Sequence, residues 1–143
     1  MKLLDTNLLL YAVNQDFPQH PQARAWLEKT LSDEQIVGLP WVVVLAFLRV
    51  TTRPQIFSRP LTVEKAVAYI DEWITLPIVT IVSPGQNHWP ILYNLLTASG
   101  TGGNLTTDAH IAALAIEHGY TVYSTDYDFK RFSGIRHVNP LGP

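Results

Sequence analysis

Apolar and polar positions along this chain alternate between short runs and longer helical stripes. Lys2-Leu3-Leu4 is a brief apolar run cut off by Asp5, and Leu8, Leu9, Tyr11 and Ala12 then recur at helical spacing. The pattern predicts a buried central strand that delivers Asp5 to the carboxyl end of a sheet, with a helix directly after it. Ala23, Trp26, Leu27 and Leu31 form one stripe, hence an amphipathic helix over His20–Leu31. Residues 35–39 read as a short strand. The run 41–50 carries two signals: Val42, Val43 and Val44 favour a strand, whereas its length and the preceding Pro40 favour a buried helix. On the pattern alone the two readings nearly balance, with length and Pro40 tilting toward the helix.

Residues 51–60 form a turn-rich connection. Thr62 then caps a helix over Val63–Ile74, and 78–82 is a β-rich run ended by Ser83-Pro84-Gly85. A further helix covers 88–98 and stops in the glycines of 100–103. Thr106 or Thr107 caps the next helix, which ends at Gly119. A strand at 120–123, a short helix over 126–132 and a last strand at 135–138 complete the chain. Strands alternating with helices predict an α/β fold, a three-layer sandwich with a central, mainly parallel sheet between helices and right-handed crossovers. No repeat or linker interrupts it, so one domain over 1–143 is expected.

Three of these elements end or begin on an aspartate: Asp5 after the first strand, Asp108 in the first turn of a late helix, and Asp126, with Asp128, after the strand at 120–123. Each has a purely structural alternative. Asp5 can cap the helix after it, Asp108 suits a helix N-terminus, and Asp126 or Asp128 can be an N-cap. Together they suggest one acidic pocket at the sheet edge where open α/β folds bind ligands. Clustered carboxylates repel unless a cation offsets them. Mg²⁺ fits an all-oxygen set that leaves room for water and phosphate, which points to metal-assisted phosphodiester hydrolysis.

Composition narrows the class. A chain of 143 residues, 47% apolar and 15% charged, builds a sizeable core. Without cysteine it has no disulfide or thiolate site. No apolar run approaches the roughly 20 residues of a membrane span, and a cytoplasmic location is expected. A formal net charge of −2 argues against an indiscriminate polyanion binder. Basic residues still bunch at Arg49, Arg53 and Arg59 and at Lys130, Arg131 and Arg136, either as solvated faces or as a nucleic-acid path. The histidines are scattered and none is assigned to catalysis.

Leu-Leu-Asp-Thr-Asn at the start, Ala-Phe-Leu-Arg-Val-Thr-Thr at 46–52, Asp-Ala-His-Ile-Ala-Ala-Leu-Ala at 108–115, Ser-Thr-Asp-Tyr-Asp-Phe at 124–129 and Asn139-Pro140-Leu141 occur in an order that resembles the PIN-domain ribonuclease toxins of the VapC type. The resemblance covers nearly the whole chain. It implies a PIN-like fold and an endoribonuclease, dependent on Mg²⁺ or Mn²⁺, that cuts structured RNA and is neutralised by a cognate antitoxin. It implies Asp5, Asp108 and Asp126 as catalytic and metal-site acids, with Asp128 as an outer or second-metal acid. Asn7 would orient Asp5 and Thr125 would line the edge of the site; Arg49 and Arg53, from the first basic cluster, are expected to meet substrate. Four tryptophans in a small chain, with the resemblance, suggest a homodimer. One departure stands out: Ala46 occupies the place where many members carry glutamate. It leaves a second metal in doubt and sustains a rival reading, a decayed PIN-like module that binds RNA or protein without cutting.

Overall fold

The computed structural model describes residues 1–55, 57–100 and 102–142. Ile56, in the turn-rich connection, and Thr101, in the glycine loop, lie outside the described residues. The elements follow the order β1 (Lys2–Leu4), α1 (Thr6–Val13), α2 (His20–Leu31), β2 (Val37–Pro40), α3 (Trp41–Thr51), α4 (Val63–Ile74), β3 (Val79–Val82), α5 (His88–Ser99), α6 (Thr106–His118), β4 (Thr121–Tyr123) and β5 (His137–Val138). A 3-10 turn, Gly103–Leu105, leads into α6, and a 3-10 helix, Tyr127–Arg131, joins β4 to β5.

The five strands pair in the order β3-β2-β1-β4-β5, and every pairing is parallel. The chain steps from β1 to β2 to β3 in one direction and then returns across the sheet to β4 and β5. Right-handed crossovers therefore put α1 to α4 on one face and α5 and α6 on the other, in keeping with the packing of α1 on α2 and α3, and of α5 on α6. The three-layer sandwich predicted above is the fold observed. Leu3 and Leu4 of β1, Val37 of β2 and Val122 of β4 are all fully buried. Gly38, opposite Leu3 on β1, leaves no room for a side chain, since an added Cβ would meet Tyr120, Val82 and Leu3 at 2.7–2.9 Å.

The ambiguous valine run is helical, with Val43, Val44, Phe47 and Thr51 buried on one side. Its length outweighs its β propensity, and Thr51 and Thr52 turn their hydroxyls back onto the carbonyls of Phe47 and Leu48 at 2.8 and 2.7 Å. Thr62 caps α4 as predicted, accepting from the Lys65 amide at 3.2 Å. The expected threonine cap of α6 is not formed: Leu105 occupies the cap position without a side-chain bond, and the 3-10 turn before it supplies the entry. Gly100 and Gly119 end α5 and α6 at positive φ, 67° and 76°.

The α5–α6 layer brings together residues the sequence left apart. The Glu117 carboxylate accepts from the amides of Gly85 and Asn87 at 2.8 and 2.9 Å, tying the start of α5 to α6. His88 Nε2 lies 2.9 Å from His110 Nδ1, and His88 Nδ1 is buried with no partner among the described residues. An orphaned lone pair costs less than an orphaned N–H, so Nε2 of His88 is the donor of this pair.

Candidate metal centre

After β1 the chain leaves for one face of the sheet, and after the adjacent β4 it leaves for the other. Such a switch point opens a crevice at the carboxyl ends of the two strands. Register places Leu4 opposite Tyr123, so the next residues, Asp5 and Ser124, meet there. The Asp5 amide donates to the Tyr123 carbonyl at 3.0 Å. Asp5 is 9% exposed and Ser124 fully buried.

One carboxyl oxygen of Asp5 caps α1 by accepting from the Thr6 amide at 2.8 Å, so the structural alternative is realised. It does not exclude a second role. The other oxygen accepts from the Ser124 hydroxyl at 2.7 Å. The Ser124 oxygen in turn accepts from the Asp126 amide at 2.9 Å and from Asn7 Nδ2 at 3.3 Å. This one hydroxyl thus fixes Asp5, Asn7 and the turn that carries Asp126. Its carbonyl accepts from His137 Nε2 at 2.9 Å, locking the turn to β5. Burial pushes the Asp5 carboxyl above its ordinary value, and the Ser124 and Thr6 hydrogen bonds oppose that push.

Asp126 caps the 3-10 helix through the Asp128 amide at 2.9 Å. Helix α6 brings Asp108 to the same place, so that Asp108, Asp126 and Asp128 present carboxyl oxygens all within 4.8 Å of one another. Desolvation, then the charges of Asp5, Asp126 and Asp128, raise the Asp108 carboxyl to about 7. A cation held among these carboxylates would offset their mutual repulsion. Three half-buried carboxylates offer only oxygen donors, and they can hold a metal ion. Asn7, whose Nδ2 donates to Ser124, has a buried Oδ1 with no partner among the described residues, a further oxygen acceptor.

The structure therefore brings together Asp5, Asn7, Asp108, Asp126 and Asp128, but it regroups them. Asp128, read from sequence as an outer or second-metal acid, belongs to the tight trio, and Asp5 lies outside that trio with each carboxyl oxygen accepting a hydrogen bond. Ser124, which the sequence reading passed over in favour of Thr125, makes the contact to Asp5; Thr125, half-buried, follows it. The signal for Ser124 was its place as the first residue after a predicted strand, matching that of Asp5. Arg49 and Arg53 are exposed at and beyond the end of α3, and no ion pair joins either to the acids among the described residues. Arg131 instead donates from Nε to Asp128 at 3.1 Å.

The PIN domain family matches residues 2–135. Ribonuclease VapC37 of Mycobacterium tuberculosis is 44% identical over 140 residues, which span 98% of this chain and 97% of that protein. Ribonuclease VapC33 of the same species is 39% identical over 141 residues, 99% of both. Among solved structures, FitAB bound to an IR36 DNA fragment superimposes with a TM-score of 0.71 at 21% identity, covering 100% of this chain and 97% of that one. VapBC2 from Rickettsia felis, bound to a DNA fragment from its promoter, gives 0.70 at 18% identity, covering 96% and 97%. These two likenesses establish the fold, and the full-length identities establish the kinship. The chain is a PIN-domain protein of the VapC family.

Proposed function

We propose that residues 1–143 act as one PIN-like unit that hydrolyses phosphodiester bonds of structured RNA, as the endoribonuclease toxin of a type II toxin–antitoxin pair in the cytoplasm. The observation that carries this reading is the oxygen-only trio of Asp108, Asp126 and Asp128 at the switch point, with Asp5 at the same sheet edge held by Ser124. It is supported by relatives that bear the name ribonuclease along the whole length of the chain. No helix among the described residues is long and apolar enough to cross a membrane.

Asp108, Asp126 and Asp128 would hold Mg²⁺ or Mn²⁺, with Asp5 and Asn7 beside them and Thr125 at the edge. When bound, such an ion supplies a water of lowered pKa and positive charge for the phosphorane-like transition state. The chain itself supplies position. Ser124 and the Thr6 amide hold the Asp5 carboxylate in one orientation, and Asp108 gives up its proton as positive charge arrives. Arg49 and Arg53 offer exposed charge for the RNA backbone. A cognate antitoxin is the expected protein partner, since solved relatives of this fold are VapBC complexes. Self-association is supported by exposed Trp41, Leu45, Trp89 and Tyr93.

Asp5→Asn, Asp108→Asn and Asp126→Asn each abolish RNA cleavage in Mn²⁺ while leaving the circular-dichroism spectrum unchanged. Cleavage at the wild-type rate by any two of them sinks the reading. Ala46 favours the alternative of a decayed binding module, and a calorimetric titration in which the wild type takes up no Mn²⁺ would establish that alternative instead.

A further inference from the structure

The 3-10 helix Tyr127–Arg131 turns once every three residues, so side chains three apart eclipse and the element has three ridges. Phe129 and Phe132 make the inner ridge, 0% and 3% exposed, with ring centroids 6.5 Å apart; they pin the helix to the core. Asp128 and Arg131 make the second, joined at 3.1 Å, and Asp128 belongs to the acid trio. Tyr127 and Lys130 make the third, with Lys130 Nζ 5.0 Å from the ring centroid.

The Asp128–Arg131 pair stabilises the fold little, because the two side chains are 44% and 56% exposed. Its interest lies in where it puts a cation. Arg131 commits only Nε, and its two Nη groups have no partner among the described residues. They form a free fork of the geometry that phosphate takes, at the rim of an acid group. One ridge over, the Tyr127 ring is 48% exposed and held from behind. Its hydroxyl accepts from Asn139 Nδ2 at 3.2 Å, and its ring meets that of His137 at 5.9 Å. A restrained aromatic face beside two cations is the combination by which proteins hold unpaired nucleotides.

We propose that this 3-10 helix holds the RNA strand next to the cut, Arg131 binding a phosphate adjacent to the scissile one and Tyr127 stacking a neighbouring base. The inference rests on the ribonuclease reading above and extends it: nucleotides at this position are unpaired, because a base within a duplex is not free to stack on a side chain. Lys130 leaves the Tyr127 ring as the base arrives and becomes a second phosphate contact.

The test is fluorescence anisotropy with a short labelled single-stranded RNA of mixed sequence. It is run over a salt series with Ca²⁺ in place of the activating ion, and cleavage in Mn²⁺ is followed separately. Arg131→Gln weakens binding and flattens the plot of log K against log salt by about 0.7, the loss of one phosphate contact on a single strand. Tyr127→Ala weakens binding by about five- to a hundredfold. Tyr127→Phe, which keeps the ring and drops the hydroxyl held by Asn139, binds far more tightly than Tyr127→Ala. Annealing the RNA to its complement erases the effect of Tyr127→Ala. An unchanged salt slope in Arg131→Gln, accompanied by tighter Mn²⁺ binding, would mean that Arg131 only neutralises Asp128, and would overturn the proposal. So would equal damage from Tyr127→Phe and Tyr127→Ala. A wild type that binds the strand with this pattern but never cuts it sustains the strand-holding role and refutes the nuclease reading alone.

Discussion

Replacing Asp108 by asparagine in metal-free buffer is expected to stabilise the protein while destroying its activity. The carboxyl stands at about 7 rather than 3.8, driven by desolvation and by the charges of Asp5, Asp126 and Asp128. In an unscreened site that difference corresponds to roughly 4 kcal/mol of disfavoured charge. Asp108 is only half-buried, and solvent screening leaves about 1–2 kcal/mol. The folded protein keeps this proton more tightly than the unfolded chain does, so wild-type stability falls as pH rises through the window from 3.8 to about 7. Asparagine carries no such charge. Its advantage is therefore nil below the window and complete above it, about 3–6 °C in melting temperature for a chain of this size. Differential scanning calorimetry in EDTA across that range measures the gap directly. Mn²⁺ reverses the order, because it binds the folded wild type and not the variant, and its uptake near pH 6 releases about one proton. A variant that melts below the wild type above neutral pH in EDTA would refute the reasoning. A gap that does not change with pH would do the same.

Three further outcomes follow from the same geometry. Ser124→Ala leaves Asp5 Oδ2, the Asp126 amide and Asn7 Nδ2 without their shared partner, at a cost of about 1–3 kcal/mol. Carboxyl-carbon NMR should show Asp5 titrating higher still, and an unmoved Asp5 would remove Ser124 from its positioning role. Ala46→Glu, on a helix and half-buried, is expected to tighten Mn²⁺ binding by calorimetry; a lower melting temperature with no gain in affinity would show that residue 46 faces away from the acids. Burial lowers the affinity of His88 and His110 for protons, so the neutral pair stabilises the α5–α6 layer above 6.5, and that stability is lost as pH falls below it. His88→Leu in the Asp108→Asn background should flatten the melting curve against pH in that acid range, and an unaltered slope would count against the pair.

Periodicity in the sequence was enough to lay out the elements of this protein in order, because each depends on the spacing of apolar residues over one or two turns. The valine-rich run 41–50 carries both a strand and a helix signal and is tipped to helix by the family resemblance, whereas the strand that stops at Asp5, the Thr62 cap of α4 and the glycine at the end of α6 are local properties of this kind. So was the presence of an aspartate at each of three element ends. What the pattern lacks is strand order. Asp5 and Ser124 are 119 positions apart and meet only because β1 pairs with β4 in the register Leu4 to Tyr123. That pairing made Ser124, and not Thr125, the residue that grips Asp5. The regrouping of the acids has the same origin: a 3-10 helix, and not an α-helix, follows Asp126, and its tighter turn sets Asp128 among the trio with Arg131 eclipsed beside it. His88 and His110 likewise come together only through the packing of α5 on α6. Sequence fixes the identity of each group, but contact distance between distant groups is set by register and packing, and the electrostatics that push Asp108 toward 7 exist only at those distances.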